Sequence, residues 1–385
     1  MDCWNYYSKT LSTILWHPDL PGEEGSRLRD RVEERIARQN LPLVSRSWSE
    51  VAGSSRDSLP PELARAETMV VRPGSSADFG PCPGTQGHRC CNYLTQNIYV
   101  GCTLGCTYCI MQSYLRNRTL EVLLPHQSRI DHLRRLAREM PGHTIRAGTG
   151  EVGDSLLYDP LFDLSRPFVE GLADIPNLRF ELKTKTDYVA HLPEVPRGSS
   201  LVVGFSLNPP GIVAREEGWA ATLEERLAAA RLALEKGYRL AFHFDPIIHH
   251  PGWRQSYGEV VHLLGEFSDA PVEWVSLGTL RYPLPLRGAI EERPYALEEF
   301  VQCRDGKMRY LQPLRAGIYR FMRDELRRVL PGAAVYLCME SSTLWRDFLE
   351  KRTAPLKPIM RPLEGFSRGC GAEGCHGTER GPERR

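Results

Sequence analysis

Cys102-Thr-Leu-Gly-Cys106-Thr-Tyr-Cys109 sets three cysteines in the spacing CxxxCxxC. Three thiolates on one short loop can each take one iron of a [4Fe-4S] cube and leave the fourth iron without a cysteine. Gly101 and Gly105 ease the tight backbone that such a loop needs. A structural zinc site would ask for a fourth ligand at a regular offset, usually as paired CxxC motifs, and the neighbouring sequence offers none. The reading is therefore an iron-sulfur cluster with one open iron, on Cys102, Cys106 and Cys109.

The elements that must carry this loop alternate. Strand-like runs at 94–100, 143–147, 178–182, 201–206, 239–244 and 274–277 are separated by helical patterns. Among the helices, 129–140 spaces Ile130, Leu133 and Leu136 on one face, and 223–236 opens at Thr222 with Glu225 three residues on and closes at Gly237. A helix at 311–329 and a strand at 334–337 follow. Strict β-then-α order predicts parallel strands with crossover helices, and the cysteine loop directly follows the first of them. Six units are too few for an eight-stranded barrel, leaving a partial barrel or a doubly wound sheet.

Length and composition bound the rest. The 385 residues suit two or three domains of about 150 residues each. The charge count, 49 Lys plus Arg against 48 Asp plus Glu, nets +1, so contact with nucleic acid must rest on a local patch. With 41% hydrophobic and 25% charged residues the chain reads as an ordinary globular protein. Neither a signal peptide nor an apolar span is found, so the expectation is a cytoplasmic protein with no membrane contact, whose eleven cysteines are ligands or buried thiols rather than disulfides. We expect an extension over residues 1–93, a barrel over 94–345 and a tail or lid over 346–385.

The CxxxCxxC loop after the first strand resembles that of the radical S-adenosylmethionine (SAM) superfamily. That resemblance implies a partial (β/α)6 TIM-type barrel in an α/β fold. It also implies SAM on the open iron and reductive cleavage to a 5′-deoxyadenosyl radical, with electrons from a reductant such as flavodoxin or ferredoxin. Tyr108 falls where the superfamily sets an aromatic residue against the adenine. Downstream, 180–192 (FELKTKTDYVAHL), 205–208 (FSLN) and 245–253 (DPIIHHPGW) resemble spore photoproduct lyases. By this resemblance Lys185 would lie near the SAM carboxylate, Ser206 and Asn208 on its amino acid and ribose, and Glu151 on its amino group. The implied enzyme is a monomer acting on a nucleic-acid or nucleotide-like substrate.

The resemblance breaks where that family keeps a hydrogen-donating cysteine, because residues 146–154 read RAGTGEVGD. Ile110 also stands where the lyase has a tyrosine. A paralogue with a changed substrate is the resulting expectation. Cys90 or Cys91 standing in as donor would instead preserve lesion repair. Tyr99, three residues before Cys102, is a third candidate, either gating SAM or ligating the open iron and so blocking it. Cys82, Cys90, Cys91, Cys370, Cys375 and His376 offer enough soft ligands for a second metal site, or are small buried residues beside a disordered tail. His243, Asp245, His249 and His250 cluster on one strand end as substrate or metal contacts. Trp253, Tyr282 and Trp345 are candidate base-stacking residues, and Arg315, Arg320, Arg323, Arg327 and Arg328 candidate phosphate contacts.

Overall fold

A computed structural model describes residues 2–52, 66–75, 78–84, 88–89, 91–115, 119–297 and 299–349. Its centre is a curled eight-stranded half-barrel whose strands lie side by side in chain order: β1 (Phe79–Pro81), β2 (Leu94–Gln96), β3 (Ile145–Gly148), β4 (Leu178–Thr184), β5 (Leu201–Ser206), β6 (Arg239–Ile247), β7 (Val272–Thr279) and β8 (Ala334–Leu337). From β2 onward every neighbouring pair is parallel, and β1 caps the edge antiparallel to β2. The partial-barrel expectation is borne out. Strands buried on both faces read as unbroken apolar runs, and β5 is buried at every residue.

One crossover helix begins and ends where the sequence signals it, whereas the helix expected at 129–140 runs Gln127–Glu139. In α1 (Leu223–Glu235) Thr222 and Glu225 close a capping box, and Gly237 follows at φ +94°. A second, five-stranded sheet holds the segments Val44–Ser47, Thr13–Trp16, Thr68–Pro73, Leu120–Leu124 and Tyr99–Val100, in that order. The expected first strand, 94–100, is thus two strands in different sheets. Leu94–Gln96 stays in the half-barrel, whereas Tyr99 and Val100 turn away and pair antiparallel with Val122 and Glu121. The backbone groups of residues 99–100 find partners on a segment some twenty residues on, a choice the apolar pattern alone does not reveal.

One core runs through both sheets, from Ile14 and Val71 to Leu240 and Leu337. Within it His126 is buried, its Nε2 2.8 Å from the Leu123 carbonyl and its ring 5.3 Å from Phe168. Burial first, and then the Arg129 guanidinium, hold its pKa at about 3 against 6.5. The folded state therefore refuses a proton that the unfolded chain accepts below pH 6.5, so this site makes stability fall as pH drops from 6.5 towards 3. Between pH 7 and 5 the loss from this one group is about 2 kcal/mol. Urea unfolding at the two pH values should show a correspondingly smaller loss in His126→Phe, and equal losses would remove this assignment. Among the described residues no helix is long and apolar enough to cross a membrane.

Candidate active site at the strand ends

The cysteine loop spans residues 101–110 and is pinned on three sides. Gly101 N–H donates to Val152 O at 3.0 Å, and Gly101 bridges Gly153. Thr103 Oγ1 lies 2.8 Å from the Tyr158 hydroxyl and 2.5 Å from that of Tyr6. The segment 216–219 straps the third side: Thr107 N–H donates to Glu216 O at 2.9 Å and Trp219 N–H to Leu104 O at 2.8 Å. Gly101 and Gly105 sit at φ +86° and +73°, and a Cβ on Gly218 would collide with the Leu104 carbonyl. Each position demands glycine for a stated steric reason.

This loop turns Cys102, Cys106 and Cys109 into a cavity of about 1100 Å³ at the strand ends, and all three are free thiols. Burial pushes the Cys106 thiol up to about 12. Among the described residues no three His, Cys, Asp or Glu side chains are grouped to hold one metal ion. A cubane asks for something else, since its thiolates each bind a separate iron.

Behind the loop, Asp154 organises the turn that the sequence writes as GTGEVGD. Its Oδ1 accepts from the N–H groups of Leu156 and Leu157, both at 3.0 Å, and from Thr184 Oγ1 at 2.8 Å, while Oδ2 accepts from Lys185 N–H at 2.7 Å. Four hydrogen bonds on one buried carboxylate tie the ends of β3 and β4 together, bringing Glu151 and Lys185 onto the cavity wall. Cys82 Sγ is 3.4 Å from Glu151 Oε1, and Glu151 Oε2 is buried with no partner. Burial pulls the Lys185 ammonium down, but Cys106 and Glu217 outweigh it and leave its pKa raised. Ser206 ends β5 on the same wall. Three soft thiols, an orphaned carboxylate oxygen and a cation on one cavity fit a cluster with an amino acid moiety bound beside it.

Two expected residues stand elsewhere. The Tyr99 hydroxyl donates to Asp159 Oδ1 at 3.1 Å among Tyr158 and Phe162, off the cavity wall, because its strand belongs to the other sheet. Ligation of an iron and gating by Tyr99 are corrected by that geometry. The Asn208 amide is fully committed: it donates to Glu217 Oε1 at 2.8 Å and to the Tyr108 hydroxyl at 3.3 Å, and accepts from Tyr257 at 2.8 Å. Asn208 therefore backs Tyr108 rather than facing a ribose. Tyr108 does line the cavity, with its hydroxyl tied to Glu217.

Glu217 itself went unnoticed in the sequence, as did Arg226, with which it forms a fully buried ion pair. Cys91 and Cys82 line the cavity, and so does Cys338. Cys90, Cys370, Cys375 and His376 lie outside the described residues, and with them the second metal site. Of the histidine group, only His243 and Asp245 reach the cavity. The Arg281 guanidinium, 2.9 Å from Asp245, overcomes burial and holds that carboxyl at about 2. Trp253 packs on Phe321, Trp345 on Phe348 and Tyr282 on Phe300, so none is a free stacking platform. On the last long helix Arg315 pairs with Glu340, Arg320 with Asp347, Arg323 with Asp324 and Arg328 with Glu325, an ion-paired face rather than a phosphate track.

The spore photoproduct lyase family model matches residues 90–279. A spore photoproduct lyase of Geobacillus sp. is 27% identical over 206 residues, 51% of this chain and 59% of that protein. The one from Bacillus subtilis is 26% identical over 160 residues, 41% and 46%. The chain spans about half the length of the curated relatives it matches. A solved spore photoproduct lyase complexed with dinucleoside spore photoproduct superposes at TM-score 0.69 and 21% identity over 85% of this chain and 98% of that one. A doubly substituted variant with bound AdoMet and the same dinucleoside gives 0.67 at 20%, over 86% and 99%. At these identities the structural likeness carries the fold alone, while the matched sequence, residues 90–279, takes in the cysteine loop and the strand ends and is similar to that of spore photoproduct lyases.

Proposed function

We propose that this chain is a radical SAM enzyme of the lyase type, acting on a nucleic-acid or nucleotide-like substrate that differs from the spore lesion. Cys102, Cys106 and Cys109 would hold a [4Fe-4S] cluster, and Glu151, Lys185 and Ser206 would meet the amino acid part of SAM, with Tyr108 beside the adenine. The observation that carries this reading is the convergence of three free thiols and the orphaned Glu151 Oε2 on one cavity. When bound, cluster and SAM supply one-electron chemistry able to break an unactivated C–H bond.

The chain's own residues bind and orient. Lys185 offers a cation to a carboxylate, and Glu151 offers an unpaired acceptor to an ammonium. Glu217 fixes the Tyr108 ring by its hydroxyl, and the strap over residues 216–219 holds the loop by two backbone hydrogen bonds. A cytoplasmic monomer fed by flavodoxin or ferredoxin completes the reading. The changed substrate rests on residues 146–154, which hold no cysteine.

A second reading, repair of the spore photoproduct with a relocated donor, is favoured by the thiols of Cys82, Cys91 and Cys338 on the cavity wall. Anaerobic reconstitution, reduction and addition of SAM test the first step. Release of 5′-deoxyadenosine is expected, and none from intact reduced protein would overturn the proposal. The same sample given dinucleoside spore photoproduct separates the readings. No recovered thymine supports a changed substrate, whereas recovery that is lost in Cys91→Ala, Cys82→Ala or Cys338→Ala supports a relocated donor.

A further inference from the structure

The wall of the cavity holds a second constellation, made by strands rather than by the cysteine loop. Glu181 on β4, His243 on β6 and Ser276 on β7 line it together. His243 and Ser276 are register partners, and the imidazole Nδ1 lies 2.6 Å from Ser276 Oγ. Its Nε2 lies 2.5 Å from Glu181 Oε1, although β5 runs between their strands. Gly204 on β5 explains how they meet: a Cβ there would strike the Glu181 carboxylate and stand 3.0 Å from His243 Nε2. Gly148 on β3 leaves the same room on the other side, where a Cβ would strike the Glu181 backbone carbonyl and the Tyr93 hydroxyl. Two strands thus lack side chains where Glu181 packs, β5 beside its carboxylate and β3 beside its backbone.

The three groups are 1%, 4% and 2% exposed, so their hydrogen bonds are made out of water. Burial most strongly lowers the pKa of His243, and Glu181 is held ionised against burial by His243, Lys183 and Arg146. A neutral imidazole beside an ionised carboxylate satisfies both contacts in one way only. Nε2–H donates to Glu181, and Nδ1 accepts from the Ser276 hydroxyl. The serine oxygen is left with lone pairs for the cavity. Nucleophile or base, imidazole and orienting carboxylate in this order are the arrangement that activates a hydroxyl on unrelated folds.

We propose that Glu181, His243 and Ser276 form a general-base relay that takes a proton from an N–H or O–H group of the substrate. As Ser276 Oγ receives that proton, its own proton passes to His243 Nδ1, and the imidazolium stays paired with the Glu181 carboxylate. The substrate class this adds is a molecule presenting an acidic N–H or O–H to β7. The relay shares the cavity of the proposed enzyme but needs neither cluster nor SAM.

The purified full chain, without reductant or SAM, is treated with diisopropyl fluorophosphate and the adduct mapped by peptide mass spectrometry. Ser276 Oγ should displace fluoride from phosphorus while its proton goes to His243. Labelling at Ser276 is expected, and slower by about a hundredfold in His243→Gln and in Glu181→Gln. An unlabelled Ser276, or an unchanged rate in His243→Gln, overturns the relay. Nitrogen-15 NMR of histidine-labelled wild-type protein gives a second readout should a variant fail to fold. It should show His243 neutral with the proton on Nε2, and a proton on Nδ1 at neutral pH overturns the proposal. Since 5′-deoxyadenosine release plays no part in either measurement, failure of the relay and failure of the radical SAM reading are told apart.

Discussion

Cys106→Ala, purified and reconstituted under the same conditions as the wild type, is expected to lose its four-iron content and to release no 5′-deoxyadenosine above background. A cubane held by three thiolates has no spare protein ligand, and the cavity wall offers Cys106 no neighbouring replacement on its own loop. The fold should survive, because the loop is held by Gly101 to Val152, Thr103 to Tyr158 and Trp219 to Leu104, none of which involves the sulfur. Cys303→Ala is the control, since that thiol lies away from the cavity, 3.9 Å from the Val301 carbonyl. Tyr99→Phe sharpens the test. If its phenol were the ligand of the open iron, its removal would alter the cluster's response to SAM. The bond to Asp159 instead predicts an unchanged cluster, unchanged SAM cleavage and a stability loss of about 1 kcal/mol. Iron retained at the wild-type level in Cys106→Ala would end the assignment of the loop.

What the sequence made legible follows from the range of the forces involved. Alternating β and α segments were readable because parallel strands buried on both faces are apolar throughout, and because caps such as Thr222 with Glu225 act within one turn. The cysteine spacing, Lys185, Glu151 and Ser206 pointed to what the structure shows as one cavity wall because each lies at or just past a strand end, where such folds build their sites. Tyr99 and Asn208 were misjudged for a common reason. The direction of a side chain was decided by a buried carboxylate remote in sequence: Asp159 for the tyrosine and Glu217 for the asparagine. Glu217, in a polar run before Gly218, and Arg226, four residues after the cap Thr222, carry no local signal that they pair with each other in the interior. The Glu181 to His243 contact was harder still, because it crosses a strand and depends on the side chain Gly204 lacks.

Arg226→Met is expected to cost about 3–5 kcal/mol of stability, read as a lower urea midpoint under anaerobic conditions. Arg226 and Glu217 are both 0% exposed, so removing the guanidinium strands a carboxylate in the interior. The lost bond from Arg226 to the Ser206 carbonyl, 2.8 Å in the structure, adds an unsatisfied acceptor beside it. Lys185, the next cation acting on Glu217, sets the lower end of that range by partly compensating the charge. Replacing both partners, Arg226→Met with Glu217→Leu, removes the stranded charge and should recover most of the stability, because an apolar pair of similar volume is often as stable as a buried ion pair. Function should not recover with it. In the double variant the Tyr108 hydroxyl and the Asn208 amide both lose the Glu217 acceptor, so the ring proposed to lie beside the adenine keeps only the long 3.3 Å bond from Asn208. The expected pattern is near-normal unfolding with a raised KM for SAM and full iron content. A double variant with wild-type KM would reduce Glu217 to a structural ion pair, whereas an Arg226→Met midpoint within about 1 kcal/mol of wild type would mean that the interior around the strap is wet.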